Sequence, residues 1–220
     1  MNTNKSTVFL FLFGAFLLFG AFLALFIPKG ALILFVNDYR HPFMDVFFRY
    51  FTYLGDAILC LILFIIFLFI KYAHALRILL LTGIQTTLVY LFKHFWFNNL
   101  PRPKVHFDGI AELNFIEGIK IHGYDTFPSG HTATAFALAT LFALIFYRHT
   151  YLSFFLFMAA TMVAFSRVYL MQHFFVDVYM GAILGVLSSL ITYKSLEFFD
   201  KQNNRGINNL NGSLANMKWR

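Results

Sequence analysis

Arg167, His173 and Asp177 stand in the stretch Ser166-Arg167-Val168-Tyr169-Leu170-Met171-Gln172-His173-Phe174-Phe175-Val176-Asp177, between two long apolar runs. Charge at membrane depth costs about 2.5–3.5 kcal/mol per residue on insertion scales, so such groups need partners, a water-filled cavity or a function. His173 and Asp177 are four apart, a spacing that lets the carboxylate reach the imidazole on one helical face. Arg167 is a fixed cation whose planar fork of donors suits phosphate. An oriented imidazole beside a guanidinium reads as a nucleophile with an anion clamp. Two further sets lie upstream: Pro128-Ser129-Gly130-His131 at the start of an apolar run, and Lys93 followed by Arg102-Pro103.

The elements that must position these residues are membrane spans. The chain of 220 residues is 60% apolar, 12% charged and holds 32 Phe, against roughly 25% charged in ordinary soluble domains. That balance indicates an integral membrane protein and argues against a soluble globular enzyme. The net charge of +7 does not indicate nucleic acid, because the excess falls on one side of the expected topology. Cys60 is the single cysteine, so no intramolecular disulfide forms.

Val8 to Ile27 is long enough to span a bilayer core, and longer than the apolar region of a signal peptide; it is expected to be a retained first helix. Residues 31–56 read as a connector with a short interfacial amphipathic helix. A second span is expected over 57–70 and a third over 76–97. Residues 98–127, broken by Pro101, Pro103, Gly109, Gly118 and Gly123, form a long polar loop of the kind that is functional or disordered. Spans four to six are expected over 130–147, 151–169 and 174–198. Ala135, Ala139 and Ala143, and likewise Gly181, Gly185 and Ser189, offer small-residue faces for close helix packing. The fold expected is all-α, a six-helix membrane domain over 1–199, with a polar, disordered tail over 200–220.

Six spans put both termini on one side. With the amino terminus inside, Lys5, Lys71, Arg77, Arg148, Lys194, Lys201, Arg205, Lys218 and Arg220 are internal, beside only Glu197 and Asp200. The outer face carries eight basic and eight acidic residues. The positive-inside rule counts Lys and Arg; nine stand inside against eight outside, three of which (Lys93, Arg102 and Arg167) the site explains, so cytoplasmic termini are expected, and then every residue of the three sets falls on the outer face.

The spacing S-R-x5-H-x3-D resembles the third motif of the type 2 phosphatidic acid phosphatase family, which shares its catalytic core with vanadium haloperoxidases. The second family motif, P-S-G-H, is intact at 128–131. The first, a lysine, six residues and Arg-Pro, is matched with eight residues between Lys93 and Arg102-Pro103. The resemblance spans roughly residues 38–190. It implies that His173 attacks phosphorus, Asp177 orients it, and His131 protonates the leaving oxygen and later activates water. Lys93, Arg102 and Arg167, with Ser129 and the N–H of Gly130, would hold the phosphate oxygens. It implies no metal and no cofactor, since the cations are side chains.

The outer-facing His41, His94, His106 and His122 match no metal-ligand spacing and read as loop histidines. The function expected is a metal-independent lipid phosphatase in a bacterial inner membrane, with its site facing the periplasm. Undecaprenyl diphosphate, phosphatidate-type and lipid A phosphates are all substrates among similar proteins. The competing readings are a transphosphorylase or phosphatase for a soluble phosphoester, and a non-catalytic lipid-phosphate binder. Intact His131, His173 and Asp177 argue against the last, because binding alone needs only cations.

Overall fold

The structure, a computed structural model, describes residues 7–203 and 212–216. Among the described residues every regular element is helical. The long helices are α1 (Thr7–Phe26), α4 (Ala57–Ile70), α5 (Tyr72–Leu91), α7 (Gly130–Ile145), α8 (Thr150–Tyr169) and α9 (Phe175–Asn203), and the short ones are α2 (Ala31–Asp38), α3 (Pro42–Phe51) and α6 (Pro103–His106). Four helices are long and apolar enough to cross a membrane, and five if α3 and α4, bent by 54°, form one broken span. The chain is an integral membrane protein.

The connector after α1 contains two short helices where one was expected. Gly30, at φ 91°, makes the turn between α1 and α2, a conformation that suits glycine. His41 caps α3 by accepting from the Phe43 N–H at 3.2 Å, so this histidine is a helix cap. The break between α3 and α4 is a single tight turn, Thr52–Gly55, after which Asp56 caps α4.

At 16 residues, α7 is about 24 Å long, short for a span. Most of its side chains are buried against neighbouring helices. The glycine face of α9 packs closely against a stripe of α7 made by Ser129, Ala133 and Ala137. A Cβ on Gly181 would lie 2.5 Å from the Ser129 carbonyl oxygen, one on Gly185 would collide with the Ala133 carbonyl, and Ser189 donates to the Ala137 carbonyl. Ala135, Ala139 and Ala143 instead join the main apolar cluster with Phe9, Phe157 and Val186.

The third span begins earlier than expected, at Tyr72, and α9 continues to Asn203, past the expected boundary at 199. Of the tail assigned to disorder, 204–211 and 217–220 lie outside the described residues. Residues 212–216 include a helical turn, Leu214–Asn216, and the Gly212 carbonyl accepts from the Tyr72 N–H at 3.0 Å.

Candidate active site

The turn between α8 and α9, residues 170–174, forms the floor of the site. Its backbone is held from below by Arg167, whose carbonyl accepts from the Gln172 N–H at 2.9 Å and the His173 N–H at 3.2 Å. Met171 adopts φ 54° to complete the reversal. His173 follows, 2% exposed, with Nδ1 3.5 Å from Asp177 Oδ2. That carboxylate oxygen also accepts from the Phe174 N–H at 2.8 Å and from the Thr126 hydroxyl. Thr126 Oγ1 lies 3.4 Å from His173 Nδ1 as well. Nδ1 therefore faces Asp177 and Thr126, which leaves Nε2 as the outward nitrogen. Burial first, then the charges of Arg102, Arg167 and Lys93, pushes the His173 imidazole well below the usual histidine range. A neutral ring is a nucleophile.

The two arginines differ in how their donors are engaged. A guanidinium has five N–H groups. Arg102 donates from Nε to the Tyr124 carbonyl at 2.8 Å, from Nη1 to the Gln172 carbonyl and Oε1 at 3.2 Å each, and from Nη2 to the Asp125 carbonyl at 3.3 Å. It thus ties the 98–127 loop to the residue preceding His173. Arg167, 7% exposed, donates from Nη1 to Thr52 Oγ1 at 2.8 Å, and its buried Nε has no partner among the described residues. A buried guanidinium with open donors suits an incoming anion.

Lys93 donates to the Asp125 carbonyl at 2.9 Å, the same oxygen that Arg102 reaches. The first-motif lysine and arginine therefore converge despite the longer spacing between them. Asp125 presents this carbonyl from the left-handed region, φ 57°. Ser129 caps α7: its Oγ accepts from the Thr132 hydroxyl at 3.0 Å and the Thr132 N–H at 3.5 Å, while its own proton is left to donate. The Ser129 N–H donates to the Asp177 carbonyl at 2.9 Å, pinning the start of α7 to α9. Gly130 opens α7, where first-turn N–H groups lack intrahelical partners and favour an anion. His131 Nε2 is 3.7 Å from Asp56 Oδ2.

All eight residues singled out in the sequence thus belong to one connected constellation. Five members went unflagged: Thr52, Asp56, Asp125, Thr126 and Gln172. Asp56 carried the one readable signal, an acidic residue directly before an apolar run, and that signal indicates a helix cap. A cavity of about 360 Å³ opens beside the constellation, between α4, α5 and α7, with Asp56, Cys60, Gln85, Tyr90, Lys93 and His131 among its walls. Two of the remaining histidines pack on aromatic rings: His94 lies tilted against Tyr90, ring centroids 4.4 Å apart, and His106 meets Phe174 edge-on.

The model of the PAP2 superfamily matches residues 72–200, more than half of the chain and all three motifs. The chain belongs to this superfamily. Its relatives include two proteins named lipid A 4'-phosphatase. The one from Bacteroides thetaiotaomicron is 30% identical, covering 74% of each chain, and the one from Porphyromonas gingivalis is 28% identical, covering 74% of this chain and 70% of that one. Among solved structures, LpxE from Aquifex aeolicus is 31% identical at a TM-score of 0.65, covering 76% of this chain and 94% of that one. A PAP2-type phosphatidylglycerolphosphate phosphatase from Bacillus subtilis shares the fold at a TM-score of 0.64 and 24% identity, over 91% of this chain and 98% of that one. This PAP2 protein is accordingly a phosphatase of membrane lipid, embedded in the membrane with its substrate.

Proposed function

We propose that this phosphatase hydrolyses a phosphate monoester of a lipid A-type lipid through a phosphohistidine intermediate, with its site at the outer leaflet of a bacterial inner membrane. The observation that carries the substrate class is the pair of lipid A 4'-phosphatase relatives, aligned over 74% of the chain. The cavity between α4, α5 and α7 supports it, since a phosphate presented from the bilayer would reach His131 and Lys93 sideways.

In the first step, Nε2 of neutral His173 attacks phosphorus as the bond to the lipid oxygen breaks, and protonated His131 gives its proton to that oxygen. Asp177 and Thr126 hold Nδ1 and stabilise the charged ring. Arg167 grips the equatorial oxygens with its open donors, Arg102 and Lys93 add charge, and Ser129 and the Gly130 N–H add neutral donors. In the second step, neutral His131 takes a proton from water, whose oxygen displaces His173 and releases inorganic phosphate. No step requires a metal.

The topology that goes with this reading has six spans: α1, the bent α3–α4 unit, α5, α7, α8 and α9. Both termini are cytoplasmic, α2 lies in the interface, and the 98–127 loop roofs the site outside. Phosphate release from the purified protein tests the substrate, with lipid A, phosphatidate, undecaprenyl diphosphate and a soluble sugar phosphate compared side by side. Lipid A is expected to give the highest kcat/KM, and mass spectrometry of cells producing the protein should show lipid A lighter by one phosphate. A preference for the soluble ester would overturn the reading.

A further inference from the structure

The turn that breaks the second span reaches the catalytic residues from outside the family match, which begins at residue 72. Gly55 is buried, and a Cβ there would lie 2.5 Å from the His131 carbonyl oxygen and 2.7 Å from a Val163 methyl. Glycine therefore lets the turn lie flat against the first turn of α7. In that position Thr52 accepts from Arg167 at 2.8 Å, and Asp56 comes to His131. The Asp56 carboxylate is divided between two tasks: Oδ1 accepts from the Ile58 N–H at 3.0 Å to cap α4, and Oδ2 faces His131 Nε2 at 3.7 Å.

We propose that Asp56 is the positioning residue of His131, as Asp177 is of His173. This rests on the reading of His131 as the proton donor to the leaving group. The two pairs use opposite ring nitrogens. Asp177 takes Nδ1 of His173 and leaves Nε2 for phosphorus; Asp56 takes Nε2 of His131 and leaves Nδ1 to carry the transferable proton. The Asp56 charge stabilises the imidazolium before the proton moves to the leaving oxygen, and again when the ring accepts a proton from water. The 3.7 Å separation is an ion-pair distance, and catalytic contacts commonly tighten when substrate arrives. Both groups wall the same cavity, so the pair sits where a lipid leaving group would lie.

A mere helix cap and a positioning residue are separable. Asn and Ser also cap helices, so Asp56→Asn and Asp56→Ser keep the start of α4 while removing the charge. The readout is kcat/KM on two substrates: an alkyl phosphate lipid, whose leaving oxygen needs a proton, and a nitrophenyl phosphate, whose leaving oxygen does not. His131→Ala should lose about 10²–10⁴-fold on the alkyl ester, the usual contribution of acid–base catalysis, and far less on the aryl ester. Both Asp56 variants should show the same split, with a loss of about 10–100-fold on the alkyl ester, the range seen for partners that orient metal-bound histidines. Asp56→Asn should add nothing in a His131→Ala background. If His131→Ala shows the split but both Asp56 variants lose activity equally on the two esters, or not at all, Asp56 is only a cap and the inference is overturned. If His131→Ala itself shows no split, the donor reading fails and takes the inference with it.

Discussion

Replacing each site arginine by Met separates binding chemistry from architecture, because the two guanidinia are engaged so differently. Arg167 leaves Nε and most of its fork open in a site only 7% exposed. An unpaired buried donor costs about 1–3 kcal/mol of desolvation, so the free protein carries a penalty that a bound phosphate would relieve under the proposed mechanism. Arg167→Met removes that penalty, and melting in detergent should occur at the same temperature or higher. The same change would delete the two charge-assisted contacts proposed for phosphate, each worth about 1.5–3 kcal/mol, so kcat/KM should fall roughly 10²–10⁴-fold. Arg167→Lys keeps the charge but not the fork, and should lose one such contact, roughly 10–150-fold. Arg102→Met acts on the fold as well. It strips four hydrogen bonds from the Tyr124, Asp125 and Gln172 oxygens. The Asp125 carbonyl keeps Lys93, but orphaning the Tyr124 and Gln172 acceptors should cost about 3 kcal/mol of stability, alongside the loss of activity. Equilibrium unfolding of the three variants and kcat/KM on one lipid substrate make the assay. Should Arg167→Met destabilise the protein as much as Arg102→Met, or Arg167→Lys keep full kcat/KM, the division of labour drawn from their hydrogen bonds is wrong.

His173→Ala should abolish turnover in a protein that still folds, and Asp177→Asn should cost several orders of magnitude through loss of ring orientation; more than a few per cent of wild-type activity in the alanine variant would remove His173 as nucleophile. Because His173 is held below its ordinary value of about 6.5, it stays neutral in the folded protein as the pH drops through that value, so its loss by protonation in a kcat/KM profile should appear only at lower pH. The unfolded chain binds the proton first, so this group's contribution to stability is present above about pH 6.5 and is lost as the pH falls below it, which a denaturation series across pH would show. Orthovanadate should inhibit as a transition-state mimic and EDTA should not; an EDTA loss restored by Mg²⁺ or Zn²⁺ would sink the metal-free mechanism. A reporter active only outside the membrane should signal when fused after Glu112 and stay silent after Arg205, and the reverse pattern would place the site on the cytoplasmic leaflet. Lys93→Ala should lower kcat/KM by roughly 10-fold or more, one charge-assisted contact, but less than Arg102→Ala, and a neutral effect would place the lysine outside the site.

How far the site could be read in advance depended on whether a residue's role is carried by its type or by where the chain folds back. Arg167, His173 and Asp177 are costly in an apolar run, so their types alone announce a function. Thr52, Thr126 and Gln172 are unremarkable in sequence, and each becomes part of the site only through contacts 47–115 residues apart: Thr126 with His173, Gln172 with Arg102, Thr52 with Arg167. Spacing has nothing to say about such pairs. The small-residue faces show the same limit, since Gly181 and Gly185 were visible as a packing stripe while the stripe of α7 that meets them was not. Rotation about a helix axis is set by all its neighbours at once.

The two extra residues between Lys93 and Arg102 show how backbone geometry resolves what spacing leaves open. Following α5, residues Phe92–Trp96 wind as one wide turn, closed by the Phe97 N–H donating to the Phe92 carbonyl at 3.0 Å. Such a turn, bonded five residues apart rather than four, takes up an extra residue without ending the helix, and is found often at functional sites. Asn99 then enters the left-handed region at φ 55°, where asparagine is tolerated, and its N–H is held by the Asp125 carboxylate at 3.2 Å. The Arg102 N–H is held by the Gly123 carbonyl at 2.8 Å. The added length is thus absorbed in a wide turn and a reversal, both fastened to 123–125. Lys93 and Arg102 meet on the Asp125 carbonyl because the segment between them is pinned to the same strip of loop. In this chain the position of the two charges is thus set by one peptide group that both side chains reach, whatever the number of residues between them.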